Sequence, residues 1–146
     1  MLKHLSASIV FLLILLACSE NEKITLEFRI AEDEPAPNLT EMLFEPTGET
    51  FYLHDKVLVN QNDVESAVVV TRQERPAIEL ILTTDGAKKF EKLTAENVGK
   101  RCGMISNGKL LSAPVIRDTI SVGRAIITGI FTDAEAKAIA EGLTQN

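Results

Sequence analysis

The chain has 146 residues, of which 45% are hydrophobic and 25% charged, and its formal net charge is -6. This is the length of one ordinary globular domain, and the apolar content excludes wholesale disorder. The basic residues are scattered singly or in pairs, whereas phosphate binding needs clustered Lys and Arg. The composition therefore argues against a nucleic-acid partner.

The N-terminus carries the pattern of an export signal. Lys3 and His4 precede nine consecutive apolar residues, 9–17, and Cys18 follows at once. A helix that crosses a bilayer needs about 20 apolar residues, so this run is too short for a permanent anchor. We expect residues 1–17 to be removed, which leaves 129 residues without a second long apolar run.

The cleavage region has a more specific pattern. Leu15-Leu16-Ala17-Cys18 resembles the lipobox of bacterial lipoproteins. The resemblance implies cleavage between Ala17 and Cys18, a diacylglyceryl thioether on Cys18 and a further acyl chain, typically palmitate, on its amine. Ser19 resembles the residue that follows the cysteine in lipoproteins that are passed on to the outer membrane rather than kept at the inner membrane. An ordinary signal peptide, or an uncleaved anchor with an incidental cysteine, is the alternative.

Reactive residues are few beyond the signal. Cys102 has no cysteine partner in the mature chain and lies in an apolar stretch, so it is interpreted as a small core residue. His54 is the one histidine left, and no nucleophile elbow, metal-ligand spacing or phosphate loop accompanies it. We predict a surface histidine at a strand end, no enzyme activity and no metal or cofactor. Three serines lie in hairpins or loops without a placed base: Ser106, Ser112 and Ser121.

The first half of the mature chain predicts short strands. Residues 24–30 alternate between apolar and polar, which is typical of a half-buried strand. Residues 31–46 contain an acidic triplet and three prolines, and are expected to form an exposed, extended loop. Short strands are predicted at 50–53 and 57–59, and a brief helical turn at 64–66 follows N-cap candidates at 60–63.

The second half predicts hairpins and helices. Residues 67–71 and 77–82 indicate a hairpin, and a further strand is predicted at 124–130. Asn107-Gly108, between two apolar runs, favours a two-residue type I′ turn because both positions need a positive φ.

The two predicted helices are both amphipathic. The first begins near Thr83 and ends at Gly99, with Ala87, Phe90, Leu93 and Val98 on one side. The second opens on the capping box of Thr132 and Glu135, and its apolar stripe consists of Ala136, Ile139, Ala140 and Leu143. Short connections favour antiparallel pairing, so we predict an α+β fold in which both helices cover one face of an antiparallel sheet.

The segments after residue 75 together resemble the head subdomain of the first periplasmic domain of SecD. The residues that carry the resemblance are Arg75 to Leu80, Leu82-Thr83, Gly86 to Phe90, Asn107 to Lys109, Ser112 to Ile116, Gly129 to Phe131 and Glu135-Ala136. SecD is an accessory membrane subunit of bacterial protein export, and the head is thought to contact the emerging polypeptide. The resemblance runs from about Val57 to Leu143. It does not include the membrane bundle with which SecD uses the proton gradient, so we expect no energy-coupled translocation by this chain alone.

Three segments follow from these interpretations. Residues 1–17 are the lipoprotein signal peptide, 18–56 an N-terminal strand and acidic arm anchored by lipid on Cys18, and 57–144 the SecD head-like domain. The expected function is non-catalytic binding of exported, unfolded polypeptides or Sec translocon components, at the periplasmic face of the outer membrane. The alternative is a stand-alone envelope interaction or structural lipoprotein that uses the fold for an unrelated partner.

Overall fold

The computed structural model of the protein describes residues 23–144, which contain nine strands, one 3-10 helix and two α-helices. The strands are β1 (Leu26–Glu32), β2 (Leu39–Phe44), β3 (Glu49–His54), β4 (Val59–Asn60), β5 (Val64–Arg72), β6 (Arg75–Leu82), β7 (Arg101–Ser106), β8 (Lys109–Ser112) and β9 (Arg124–Thr128). The helices are the 3-10 helix Gln61–Asp63, α1 (Thr84–Glu96) and α2 (Asp133–Thr144).

These strands form two antiparallel sheets. The larger sheet has the order β2-β3-β1-β7-β8, with β4 also paired to β1, and the smaller sheet has the order β5-β6-β9. The α+β class is confirmed, but the structure has two sheets where the sequence predicted one. The reason is the long-range pairing of β1 with β7, in register from Leu26 opposite Ser106 to Ala31 opposite Arg101, which separates these strands from the β5-β6 hairpin.

The main core is built from both sheets and both helices. Leu26, Phe28 and Ile30 alternate along β1 and all enter this core, whereas Ala31 belongs to a smaller cluster with Phe51. Other main-core members are Ile78 and Leu80 of β6, Ile127 of β9, Phe90 and Leu93 of α1, and Ala136, Ala140 and Leu143 of α2. α2 therefore buries the face that its periodicity predicted, and α1 buries its predicted face except for Val98.

The predicted loop over residues 31–46 is wrong in part, because β2 occupies 39–44. This strand pairs with β3 along its whole length, from Leu39 opposite His54 to Phe44 opposite Glu49. Gly48, at a φ of 74°, closes the connecting turn. β1, β2 and β3 share their sheet with β7 and β8, although the sequence assigned them to an anchored arm. The boundary between residues 56 and 57 stays a prediction.

Two local predictions also need correction. The helical turn lies at Gln61–Asp63 rather than at 64–66, because the Asn60 side chain accepts from the N–H of Asn62 and so starts the turn at once. Val98 does not join the apolar side of α1, because the helix ends at Glu96 and leaves Val98 exposed.

The predicted turns and caps are confirmed. Asn107 and Gly108 both have a positive φ, of 47° and 75°, as a type I′ hairpin requires. The α2 capping box forms, since Thr132 Oγ1 accepts from the N–H of Glu135 and the Glu135 carboxylate accepts from the N–H of Thr132. These contacts fix the β7-β8 hairpin and the start of α2, which border the site described next.

Candidate functional site

An apolar cleft of about 330 Å³ opens where the β7-β8 hairpin, the β2-β3 turn and the start of α2 meet. Its apolar lining consists of Ile24, Phe44, Pro46, Leu110, Leu111, Ile130, Phe131, Ala138 and Ile139. Concave apolar surfaces with a few polar groups at the rim are the usual form of a binding site. This cleft is therefore the candidate site for an apolar side chain of a partner.

The rim of the cleft is polar and charged. Lys109 Nζ lies 2.9 Å from the carboxylate of Glu45, and this contact raises the pKa of the exposed Lys109. The backbone N–H of Thr132 donates to Glu135, which lowers the pKa of that carboxyl, and Lys109 lowers it a little further. Both groups keep their charges near neutral pH, so a ligand would meet an apolar floor beside one cation and two carboxylates.

The chain enters its first strand beside this cleft. Asn107 Oδ1 accepts from the backbone N–H of Thr25 at 2.9 Å, and the N–H of Asn107 donates to Thr25 Oγ1 at 3.0 Å. The hairpin turn thereby holds the residues just before β1. Because Ile24 lines the cleft, the site lies at the point where the described chain begins.

Cys102 has the buried position that the sequence predicted. It is 3% exposed within the main core, and burial raises its pKa to about 12. A thiol with so high a pKa is almost entirely protonated at neutral pH and is a poor nucleophile or metal ligand. It borders a second hollow of about 320 Å³, which the 113–123 segment covers and which Arg117 also lines.

His54 and the serines do not form a catalytic group. His54 Nε2 lies 2.9 Å from Glu32 Oε1 at the end of β3, with 44% of its side chain exposed. Ser106 and Ser112 are buried in the strands of the β7-β8 hairpin, and Ser121 is exposed. Within residues 23–144 no hydrogen bond joins His54 to any of these serines, and no cluster of three or more His, Cys, Asp or Glu is arranged to hold a metal ion.

The signal cleavage residues Ala17 and Cys18 lie outside the described residues. In the part of the chain that the structure describes, no helix has both the length and the apolarity needed to cross a membrane. Sequence reasoning missed the cleft itself, because Phe44 and Pro46 belong to the stretch that was expected to be a loop. The apolar pair Leu43-Phe44, followed by Pro46 and Gly48, could have indicated a hairpin there.

The family model for the SecDF P1 head subdomain matches residues 38–146. The chain is 31% identical over 134 residues to protein translocase subunit SecDF of Thermus thermophilus, covering 82% of this chain and 18% of that protein. It is 40% identical over 96 residues to protein translocase subunit SecD of Syntrophobacter fumaroxidans, covering 64% of this chain and 18% of that protein. The chain spans about a fifth of the length of these relatives.

Solved structures agree with the sequence relatives. A structure described as a membrane component SecDF that enhances protein export superposes with a TM-score of 0.69 at 30% identity, over 86% of this chain and 64% of that one. A structure of SecDF in a super-membrane-facing form gives a TM-score of 0.70 at 30% identity, over 86% of this chain and 19% of that one.

The fold and its apolar cleft thus define an α+β domain related to the protein-export machinery. The chain belongs to the SecDF P1 head subdomain family. The resemblance seen in the sequence is confirmed, and the match begins at residue 38, earlier than the quoted motifs.

Proposed function

We propose that this protein is a lipid-anchored periplasmic binding module that contacts exported, partly unfolded polypeptides or components of the Sec machinery. The observation that carries the proposal is the apolar cleft beside Lys109 in a domain of the SecDF P1 head family. Exported chains expose apolar side chains before they fold, and a cleft of this kind can take up such a side chain.

The proposed anchor is a diacylglyceryl thioether on Cys18, attached before the chain is cleaved after Ala17, with a further acyl chain on the new amine. Cys18 precedes Ile24 by six residues, and an extended chain spans about 3.3 Å per residue. The cleft would then lie within roughly 20 Å of the membrane surface. Several acyl chains on one residue bind a bilayer firmly, and Ser19 favours the outer membrane. The cleft would face the periplasm, where exported chains emerge.

The proposed role is non-catalytic. The buried Cys102 has a raised pKa, and His54 contacts Glu32 rather than a nucleophile. The curated relatives are named translocase subunits, which accords with a role in contact rather than turnover.

Photocrosslinking in living cells tests this function. A benzophenone amino acid replaces Lys109 at the rim of the cleft or Arg117 beside the second hollow, and the matched control position is Lys92 on α1, which lines neither. We expect Lys109 to capture nascent exported proteins or Sec subunits, with capture of exported chains lost when Sec-dependent export is blocked. Lys92 should give at most a weak background.

The alternative function predicts a different result. A stand-alone envelope lipoprotein would crosslink from Lys109 to one envelope partner, in an amount that does not change when export is blocked. That outcome would overturn the proposed export role and leave the fold in use for an unrelated partner.

A further inference from the structure

The outer edge of β5 carries backbone groups that no other described residue uses. In an antiparallel strand the N–H and C=O of one residue point the same way, and successive residues alternate. The backbone N–H and C=O of Ala67 point away from β6, because both hydrogen-bond to Thr144 Oγ1, at 3.1 and 3.2 Å. The backbone N–H and C=O groups of Val69 and Thr71 therefore also point outward, away from β6. Within residues 23–144 the N–H and C=O of Val69 and the N–H of Thr71 have no partner, and the Thr71 carbonyl accepts only from its neighbour Arg72.

The pairing with β6 supports this assignment independently. Thr71 lies opposite Pro76, which has no N–H to donate, as expected where neither residue bonds across the pair. Arg72 and Arg75 flank the two-residue turn Gln73-Glu74 and close the hairpin. Because backbone bonding alternates along the pair from Arg72, Val70 and Val68 hydrogen-bond to β6 and Val69 does not.

The other sheet edges lie close to neighbouring elements. β2 and β8, the two edges of the larger sheet, approach each other, and Lys109 of β8 bonds Glu45 next to β2. β9 ends against β8, where a Cβ on Gly129 would come within 2.8 Å of the Leu111 carbonyl oxygen. β5 is an edge of the smaller sheet, and its backbone groups at Val69 have no partner within residues 23–144.

Apolar side chains flank the open backbone groups. Val68 is 48% and Val69 40% exposed, which is unusual for valine in a strand. Beside them a hollow of about 360 Å³ lies between β5 and α2, with Ala140 in its lining and the Lys137–Glu141 pair along its side. A strand added to this edge would direct every second side chain toward the hollow.

A second copy of this chain fits the edge poorly. Antiparallel pairing of two β5 strands about Val69 would place Ala67 of one opposite Thr71 of the other, but Thr144 already occupies the Ala67 groups. The register cannot move toward the turn, because Gln73 and Glu74 have a positive φ, of 49° and 63°, and end the strand. The outward backbone groups of Val69 and Thr71 therefore fit a short extended segment of a different chain.

We propose that the Val68–Arg72 edge of β5 binds an extended segment of a non-folded polypeptide by adding it as a fourth strand to the smaller sheet. Backbone hydrogen bonds to Val69 and Thr71 would hold the segment irrespective of its sequence, and the hollow would favour a small apolar side chain. The inference rests on the proposed function, since it names how an exported chain would be held, at a surface separate from the cleft beside Lys109.

Hydrogen exchange of the unaltered full chain is the first test. The probe is reduced, carboxymethylated lactalbumin, a polypeptide that stays unfolded. Saturating probe should slow exchange of the Val69 and Thr71 amides at least tenfold, with little change at Val68 and Val70, which already bond to β6. Bound probe that leaves the Val69 and Thr71 amides unprotected would overturn the proposal.

A matched pair of variants is the second test. Val69→Pro removes the outward N–H without breaking a bond to β6, and edge strands tolerate proline at such positions. Val69→Thr keeps the N–H. We expect the proline variant to bind the probe at least tenfold more weakly at an unchanged circular dichroism spectrum, and the threonine variant to bind within twofold of the parent. Equal binding by all three proteins would contradict strand addition.

The two proposals fail separately. If Val69→Pro binds the probe normally and crosslinking from Lys109 still captures exported chains, only the edge site is overturned. If Lys109 and Arg117 capture no exported chain but the probe protects the Val69 amide, the edge site stands and the export role does not. If Val69→Pro fails to fold, the exchange experiment decides alone.

Discussion

Cys102 is the residue whose environment most alters its chemistry. Burial raises the pKa of its thiol to about 12, from an ordinary value near 9. The folded protein therefore keeps this proton between pH 9 and 12, whereas the unfolded chain loses it. The contribution of this thiol to the free energy of unfolding is fully present below pH 9. It is lost as the pH rises toward 12, at up to about 1.4 kcal/mol per pH unit.

Urea unfolding from pH 8 to 11 measures this loss. Other groups titrate in the same range, so the informative quantity is the difference in free energy of unfolding between the parent and Cys102→Ala. The alanine variant loses packing by a constant amount but has no thiol to ionise. We expect the advantage of the parent to shrink steadily above pH 9. A difference that stays constant to pH 11 would show that the thiol is solvated in the folded state.

At the scale of elements, the contact between α1 and the 3-10 helix is close enough to exclude a side chain. A Cβ on Gly86 would clash with the carbonyl oxygen of Asp63. The Asp63 carboxylate also receives the Lys89 ammonium at 2.6 Å, and its carbonyl accepts from the N–H of Thr83. α1 is therefore fixed on Asp63 by its first turn.

Gly86→Ala tests this contact, because the close approach of Asp63 should make the substitution destabilising although alanine has the higher helix propensity. In an exposed helix the change would stabilise the protein by about 1 kcal/mol. Here the backbone of Asp63 must move, so we expect a net loss of about 2 kcal/mol in the free energy of unfolding. The control is Lys92→Ala in the same helix, exposed and expected to change stability by less than about 0.5 kcal/mol. A stabilised Gly86→Ala protein would contradict the close contact.

Local signals explain which elements the sequence predicts well. The Asn107-Gly108 turn, the Thr132–Glu135 capping box and the start of α1 near Thr83 each depend on neighbouring residues, and all three form; at α1, Thr83 Oγ1 accepts from the N–H of Gly86. The local signal for β2 is weaker, because only the apolar pair Leu43-Phe44 and Gly48 indicate a hairpin. Its residues alternate weakly, and what makes them a strand is the pairing with β3 across the turn at Gly48.

The division into two sheets depends on contacts distant in sequence. β1 pairs with β7 about 75 residues later, and local periodicity carries no information on that partner. The candidate site inherits this difficulty. Lys109 directly follows the predicted Asn107-Gly108 turn, but the cleft beside it also needs Ile24, Phe44 and Ile139 from three distant segments. The sequence predicts the local structure around these residues, but it does not predict that they lie together.

For the whole molecule, the proposed function depends on attachment at Cys18. The link Thr25–Asn107 ties the beginning of β1 to the hairpin, so a lipid on Cys18 would hold the cleft near the bilayer through a short stretch of chain. We expect intact mass spectrometry of the cell-envelope protein to show a chain that begins at Cys18 and carries added acyl mass. Cys18→Ala should lack this mass and retain residues 1–17, because lipid attachment precedes cleavage in the proposed pathway.

The second cysteine supplies the control for that prediction. Cys102→Ala should keep the lipid and the processed N-terminus, since its thiol is buried in the core and takes no part in processing. A Cys18→Ala protein that is processed and membrane-associated like the parent would disprove the lipid anchor. The export role could then survive only if another attachment kept the domain near the membrane, because the cleft must meet exported chains before they fold.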